Sequence, residues 1–384
     1  MRPLRVMHAI TMLELGGAQR NTLDTVASVD RREFAVALTC ASQGELLPEA
    51  RALADVELFE LSHLRREVRP LADMRALSEL RRAMRRFRPE VVHTHCSKAG
   101  ILGRLAARRE GVPVVIHSIH GFGFGPHQPS LARFAFLTAE RLASRWTTAF
   151  VAVSRRNLEE GVRLGLFPAS SARVIRSGVD LASFASHRGG DALRQELGIP
   201  VDAPLVVQIA CFKAQKAPER FVEVAARLTS GFPAAHFLLV GDGALRRRLE
   251  RLRREHGLEG RLHLPGWRRD VPAIYDAATV VTLTSRFEGL PRVLVEALAA
   301  GVPVVAMAVD GVNEVVRDRE NGFLVPPDDV AGVAERVGEI LRDGALRSRL
   351  SAQALEGLQE FGREAMVRQQ EELYRELACQ AGLR

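Results

Sequence analysis

Two glutamates frame the stretch of this chain best suited to chemistry. They bracket the run Glu288-Gly-Leu-Pro-Arg-Val-Leu-Val-Glu296, which follows the apolar residues 279–284 and leads into Ala297-Leu-Ala-Ala-Gly301. The apolar residues read as a buried strand. Pro291 suits the first turn of a helix, where its missing N–H costs nothing. One carboxylate therefore belongs to the strand-to-helix turn, and the other lies about two helical turns further on. The backbone N–H groups of Gly289 and Leu290 are expected to point out of the sheet, with the positive helix end behind them. A carboxylate beside such an anion site can accept hydroxyl hydrogen bonds from a ligand whose phosphates the helix end holds. The pattern points to nucleotide-sugar chemistry.

Other motifs bear on the same chemistry. Phe212-Lys213-Ala-Gln-Lys216 follows an apolar run at 206–210. Two compact ammonium charges just past a strand end can neutralise a diphosphate leaving group. Gly16-Gly17 sits between the first strand and the first helix, where backbone can approach a phosphate closely. His93, His95, Cys96, His117 and His120 gather at the ends of two expected strands, the edge where open α/β sheets bind ligands. Such a group admits zinc, although its spacing does not require it and no metal site is assigned. Ser97-Lys98 opens the next helix, and Lys98 and His95 are candidates for the acceptor side. A surface lysine with no ligand explains Lys98 as well. A dinucleotide fold is disfavoured. The first-strand glycines are adjacent and not spaced G-x-G-x-x-G, no acid ends the second strand, and Gly121-Phe-Gly-Phe-Gly125 has the wrong spacing.

The elements that must position these groups alternate throughout. Strands are expected at 4–10, 34–39, 56–61, 91–95, 114–119 and 148–153, then at 205–209, 236–240, 261–264, 280–283, 304–306 and 323–325. Helices between them at 18–29, 71–87, 131–144, 219–229 and 244–256 make this a parallel α/β chain. The pattern lapses over 183–190, which marks a domain junction. At 384 residues the chain suits two domains. No run reaches the roughly 18 apolar residues of a membrane span, and the N-terminus reads as a strand and not a signal peptide. Four scattered cysteines fit a reduced, cytoplasmic protein.

Charge is uneven. The net charge is +8, and residues 60–110 alone hold thirteen basic and six acidic side chains. Leu71, Met74, Leu77, Leu80, Met84 and Phe87 form one stripe of the helix at 71–87, with the arginines off it. A solvated face explains the arginines; anionic lipid headgroups at the inner face of a membrane are the competing partner. Nucleic acid is disfavoured, because no aromatic residues interleave with the arginines.

Residues 282–325, including Val302-Pro-Val-Val-Ala306 and Asn313-Glu314, resemble the donor-binding half of retaining family 4 glycosyltransferases. The resemblance implies a GT-B fold: two Rossmann-like domains facing across a cleft. Residues 1–182 would bind the acceptor and 183–362 the nucleotide sugar, with 363–384 a helix crossing back to the first domain. It implies that Glu288 contacts sugar hydroxyls, Glu296 grips the ribose, and Gly266-Trp267 meets the nucleobase. Gly16-Gly17 would lie by the diphosphate, and His120 of His120-Gly121 near the donor sugar and acceptor. Where the family commonly has an arginine five residues before the loop lysine, this chain has Cys211, a charge that Lys213 could replace. The expected reaction is retaining transfer from a nucleoside-diphosphate sugar, commonly UDP, to a saccharide or lipid-linked acceptor. No cofactor is expected, and no Asp-x-Asp triplet occurs to hold a metal. The rival activity is sugar-nucleotide 2-epimerisation on the same fold, which would convert donor without any acceptor.

Overall fold

Valine, isoleucine and leucine runs too short for helices become strands buried on both faces, because helices cover both sides of each parallel sheet. The computed structural model describes residues 2–122, 130–185 and 189–383; residues 123–125 of the glycine-rich run and 186–188 of the expected junction lie outside them. The chain divides into two compact units, residues 1–178 with 363–384 and residues 179–362. The crossings thus fall at 178/179 and 362/363, the first of them four residues earlier than the composition shift suggests.

The first unit runs β1 (Leu4–Ala9), α1 (Gly17–Ser28), β2 (Phe34–Ala41), α2 (Leu47–Arg51), β3 (Val56–Leu61), α3 (Pro70–Phe87), β4 (Val91–His95) and α4 (Ser97–Arg109). It continues with β5 (Val114–Ile119), α5 (Ser130–Ser144), β6 (Ala149–Ala152), α6 (Arg155–Arg163) and β7 (Ala172–Val174). The strands form one parallel sheet in the order β3-β2-β1-β4-β5-β6-β7. β7 escapes sequence reading because three half-exposed edge residues show no usable alternation.

The second unit holds α7 (Leu181–Ala185), α8 (Gly190–Leu197), β8 (Leu205–Ile209), α9 (Pro218–Thr229), β9 (His236–Val240), α10 (Arg246–Glu255) and β10 (Leu262–His263). There follow α11 (Val271–Ala277), β11 (Val280–Leu283), α12 (Arg292–Ala299), β12 (Val304–Met307), β13 (Gly322–Val325), α13 (Val330–Arg342) and α14 (Gly344–Ala354). Its parallel sheet is ordered β10-β9-β8-β11-β12-β13. The last helix, α15 (Arg363–Gln380), belongs to the first unit. Met366, Val367, Leu373, Tyr374 and Leu377 pack with Leu4, Val6, Phe34 and Val36 in one core. Arg375 pairs with Glu33 at 2.8 Å, and Glu371 accepts the Asp30 N–H.

α3 departs from its expected stripe. Leu80, Met84 and Phe87 are buried, but Leu71 and Met74 are 76% and 68% exposed. The buried face runs through Ala76 and Ala83, and the apolar side chains of the first turns stay in solvent.

Candidate active site

In the second unit the strand order reverses between β8 and β11, the switch point where open α/β sheets form ligand crevices. Lys216 follows β8 and Glu288 follows β11. The Lys216 Nζ lies 2.6 and 2.8 Å from the two Glu288 oxygens. The carboxylate is nearly buried and the ammonium one-fifth exposed. The loops are tied together by Gln215: its backbone carbonyl accepts the Arg286 N–H at 2.8 Å, and its side-chain amide donates to the Phe287 carbonyl at 2.9 Å. A third loop joins from the end of β12, where Asp310 accepts the Glu288 N–H at 2.8 Å. Such a pair at a loop mouth offers an incoming ligand both signs of charge. Phosphate can replace the carboxylate on the ammonium, and hydroxyls can donate to the carboxylate.

Lys213 is half-buried one turn earlier, its N–H donating to the Cys211 carbonyl and its own carbonyl accepting from Lys216. Pro291 caps α12 and does not open its first turn, so Gly289 and Leu290 lie buried in the approach to the cap. No side chain caps this helix, and its first turn carries no acid. Glu296 is the fifth residue of α12. The Tyr275 hydroxyl lies 3.1 Å from its carboxylate and 3.0 Å from the Val293 carbonyl, with the Arg292 guanidinium 3.8 Å from the carboxylate. Burial, with the Glu296 charge adding to it, holds the Tyr275 hydroxyl well above the ordinary phenol range, so it stays a donor. The Gly266 carbonyl accepts the Gly241 N–H at 2.9 Å, and Trp267 is 38% exposed. Gly241 is obligatory: its φ is +137°, and a Cβ would stand 1.9 Å from the Ala210 carbonyl oxygen.

The first unit has its own switch point between β1 and β4. Register places His8 beside His93, so His8, His93 and His95 share one sheet face. Thr94 pairs with His117, which therefore lies on the opposite face, hydrogen bonded to Thr94 at 2.9 Å. The five-residue group read from sequence is thus split. His120 rejoins the first face just past β5, 3.0 Å from His95. Gly121 has a φ of +109°, the left-handed turn that an H-G pair needs immediately after the strand. Gly16 and Gly17 are exposed at the start of α1, which has neither a side-chain cap nor a first-turn acid.

The two acceptor-side candidates stand in different settings. The Lys98 ammonium pairs with Asp73 of α3 at 2.6 Å and donates to the Glu67 carbonyl, with its side chain only 12% exposed. It ties α4 to α3. His95 is fully buried and lies within 3.0 Å of both His8 and His120. Sequence reading also missed Gln215, Tyr275, Asp310, His8 and Tyr374. Asp310 and His8 carried a usable signal, since each sits on or just past a strand at a carboxyl edge.

Residues 15–183 match Glycosyltransferase Family 4, and residues 190–356 match Glycosyl transferases group 1. The Escherichia coli UDP-Gal:alpha-D-GlcNAc-diphosphoundecaprenol alpha-1,3-galactosyltransferase is 30% identical over 348 residues, 89% of this chain and 89% of its own. The chain belongs to the group 1 glycosyltransferases. A D-inositol 3-phosphate glycosyltransferase of Xylanimonas cellulosilytica is 33% identical over 290 residues, 71% of this chain and 68% of its own. Anabaena Alr3699/HepE, solved with UDP and glucose, superposes with a TM-score of 0.85 at 21% identity, covering 97% of this chain and 99% of that one. WaaG, a glycosyltransferase involved in lipopolysaccharide biosynthesis, gives 0.77 at 17% identity, covering 94% and 98%. The fold of this glycosyltransferase is therefore GT-B, with two Rossmann-like domains, and its reaction is glycosyl transfer.

Proposed function

We propose that this glycosyltransferase moves a hexose from a UDP-sugar to a hydroxyl of a lipid-linked saccharide, with retention of configuration and without a metal. The Lys216–Glu288 pair at the second switch point carries the reading. When donor binds, Lys216 exchanges the carboxylate for a diphosphate oxygen, and Glu288 accepts the sugar hydroxyls. Lys213 and the amides leading into α12 add positive potential where the leaving group gathers charge. Glu296, oriented by Tyr275 and Arg292, holds the ribose. The leaving oxygen takes the acceptor proton on the same face of the sugar, and His120 of the first unit meets the acceptor. The galactosyltransferase relative acts, by its name, on UDP-Gal and a GlcNAc-diphosphoundecaprenol. That supports a UDP donor and a polyprenyl-linked acceptor in envelope or exopolysaccharide assembly.

The acceptor's lipid requires the enzyme to meet a membrane. Among the described residues, no helix is long and apolar enough to cross one. The docking surface we assign is the start of α3 with the residues just before it. Val68, Leu71 and Met74 are exposed there beside exposed Arg65, Arg66, Arg69 and Arg75. Apolar groups among cations suit the inner face of an anionic bilayer.

Donor turnover by Glu288→Ala and Lys216→Ala tests the site. Each should lose about 2–4 kcal/mol of transition-state stabilisation, as deletion of a preorganised charged contact does. Parent-like rates from both would remove it. The same assay in EDTA, with the anomeric proton of the product followed by NMR, tests metal independence and retention.

A further inference from the structure

A line of hydrogen bonds runs from His120 into the core of the first unit. The His120 Nε2 lies 3.0 Å from His95 Nδ1, and His95 Nε2 lies 3.0 Å from His8 Nδ1. The His8 Nε2 faces the Tyr374 hydroxyl of α15 at 3.5 Å. That hydroxyl is 2.7 Å from His93 Nδ1 and 3.1 Å from the Gln370 side-chain oxygen, while His93 Nε2 is 2.7 Å from the Ser118 hydroxyl. His8, His93, His95 and Tyr374 are fully buried. Burial holds the three imidazoles below the ordinary histidine range, His8 at about 3, so each carries one proton and one lone pair.

Because His8 and His95 each carry one proton, hydrogen bonds in series through them must share one sense. If Tyr374 gave its proton to His8, each ring would donate outward and His120 would be protonated at Nδ1. If Tyr374 accepts from His8, every ring donates inward and His120 is protonated at Nε2. The hydroxyl has one proton, and its contacts with His93 and Gln370 are both shorter than its contact with His8. The Gln370 amide is itself oriented, its nitrogen donating to Thr25 at 3.2 Å. The Tyr374 oxygen is therefore left to accept from His8.

We infer that Tyr374 is a positioning residue, acting through His8 and His95 to keep the His120 Nε2–H pointing inward at His95. That bond fixes the orientation in which His120 meets a substrate. This rests on His120 meeting the acceptor, as proposed above. The three inner histidines could converge on a metal, since their ring nitrogens lie within 4.8 Å of one another. In the structure those nitrogens bond to one another, to Tyr374 and to Ser118.

Long-range 1H–15N correlation spectra of the full chain, labelled at histidine, read the tautomers directly at neutral pH. The parent should show His120 protonated at Nε2. Tyr374→Phe should mix the tautomers of His8, His95 and His120 and lower kcat roughly 10- to 100-fold, with little change in donor KM. Ser118→Ala, which removes the hydroxyl bonded to His93 Nε2, should leave His120 as in the parent. If the phenylalanine variant does not fold, His8→Gln breaks the line one step nearer the surface and should mix the His120 tautomers alike. An Nδ1–H His120 in the parent, an unchanged His120 in a folded Tyr374→Phe, or a stoichiometric metal on these rings overturns the relay. Parent-like turnover by His120→Ala, read apart from the spectra, overturns the substrate role on which it rests.

Discussion

Glu288 accepts from an ammonium on the loop after β8 and donates its N–H to Asp310, so its position depends on three strand ends at once. Such a carboxylate is oriented before any ligand arrives, which reduces the ordering required on binding. Glu296 is similarly held by Tyr275. Tyr275→Phe removes that donor and should weaken UDP binding by about 1 kcal/mol, the usual net value of one hydrogen bond. Calorimetry with UDP would detect it; an unchanged Kd would detach Glu296 from the nucleotide. The glutamates were legible in the sequence because their strand and helix were. Tyr275 was not, because it sits two elements upstream and meets Glu296 only after α11 folds against the sheet.

Among elements, α3 is the most informative. Its C-terminal half packs Leu80, Met84 and Phe87 into the core, while Leu71 and Met74 stay in solvent. A stripe of constant spacing therefore serves two environments, and periodicity alone cannot separate them. Replacing both Leu71 and Met74 by serine should abolish flotation with phosphatidylglycerol-containing vesicles and leave the thermal midpoint nearly unchanged, since exposed side chains contribute little to the fold. Retained flotation would show that α3 is not the membrane contact. α15 is the second instructive element. It reads as a polar helix without a following strand, yet it lends Tyr374 to the relay and five apolar side chains to the first unit's core.

For the whole molecule, the buried histidines make acid the natural denaturant. His8, His93, His95 and His117 are held below the ordinary range chiefly by burial. The unfolded chain binds their protons near 6.5 and the folded chain does not. Stability is therefore complete above that value and is lost as pH falls through it, at about 1.4 kcal/mol per pH unit for each group. His236 and His263 of the second unit shift the same way but are less buried. Hydrogen exchange should show the amides of β1 and β4 losing protection between about pH 7 and pH 5, ahead of those of β8 and β11. Equal loss in both units would refute the assignment of acid sensitivity to the histidine face.

Read alone, the chain specified alternating strands and helices, two sheets, and which residues stand at strand ends. These follow from local side-chain pattern, with period two in a strand and 3.6 in a helix. It also specified Glu288 and Lys216 as separate candidates, since each follows a recognisable strand. Their meeting within hydrogen-bonding distance was decided only when β8 and β11 became neighbours, seventy-two residues apart in sequence. In the same way His8, His95, His120 and Tyr374 form a line only because parallel register and the return of α15 bring them to one face. Pairing between distant segments depends on burial shared across the fold, and no local window contains it.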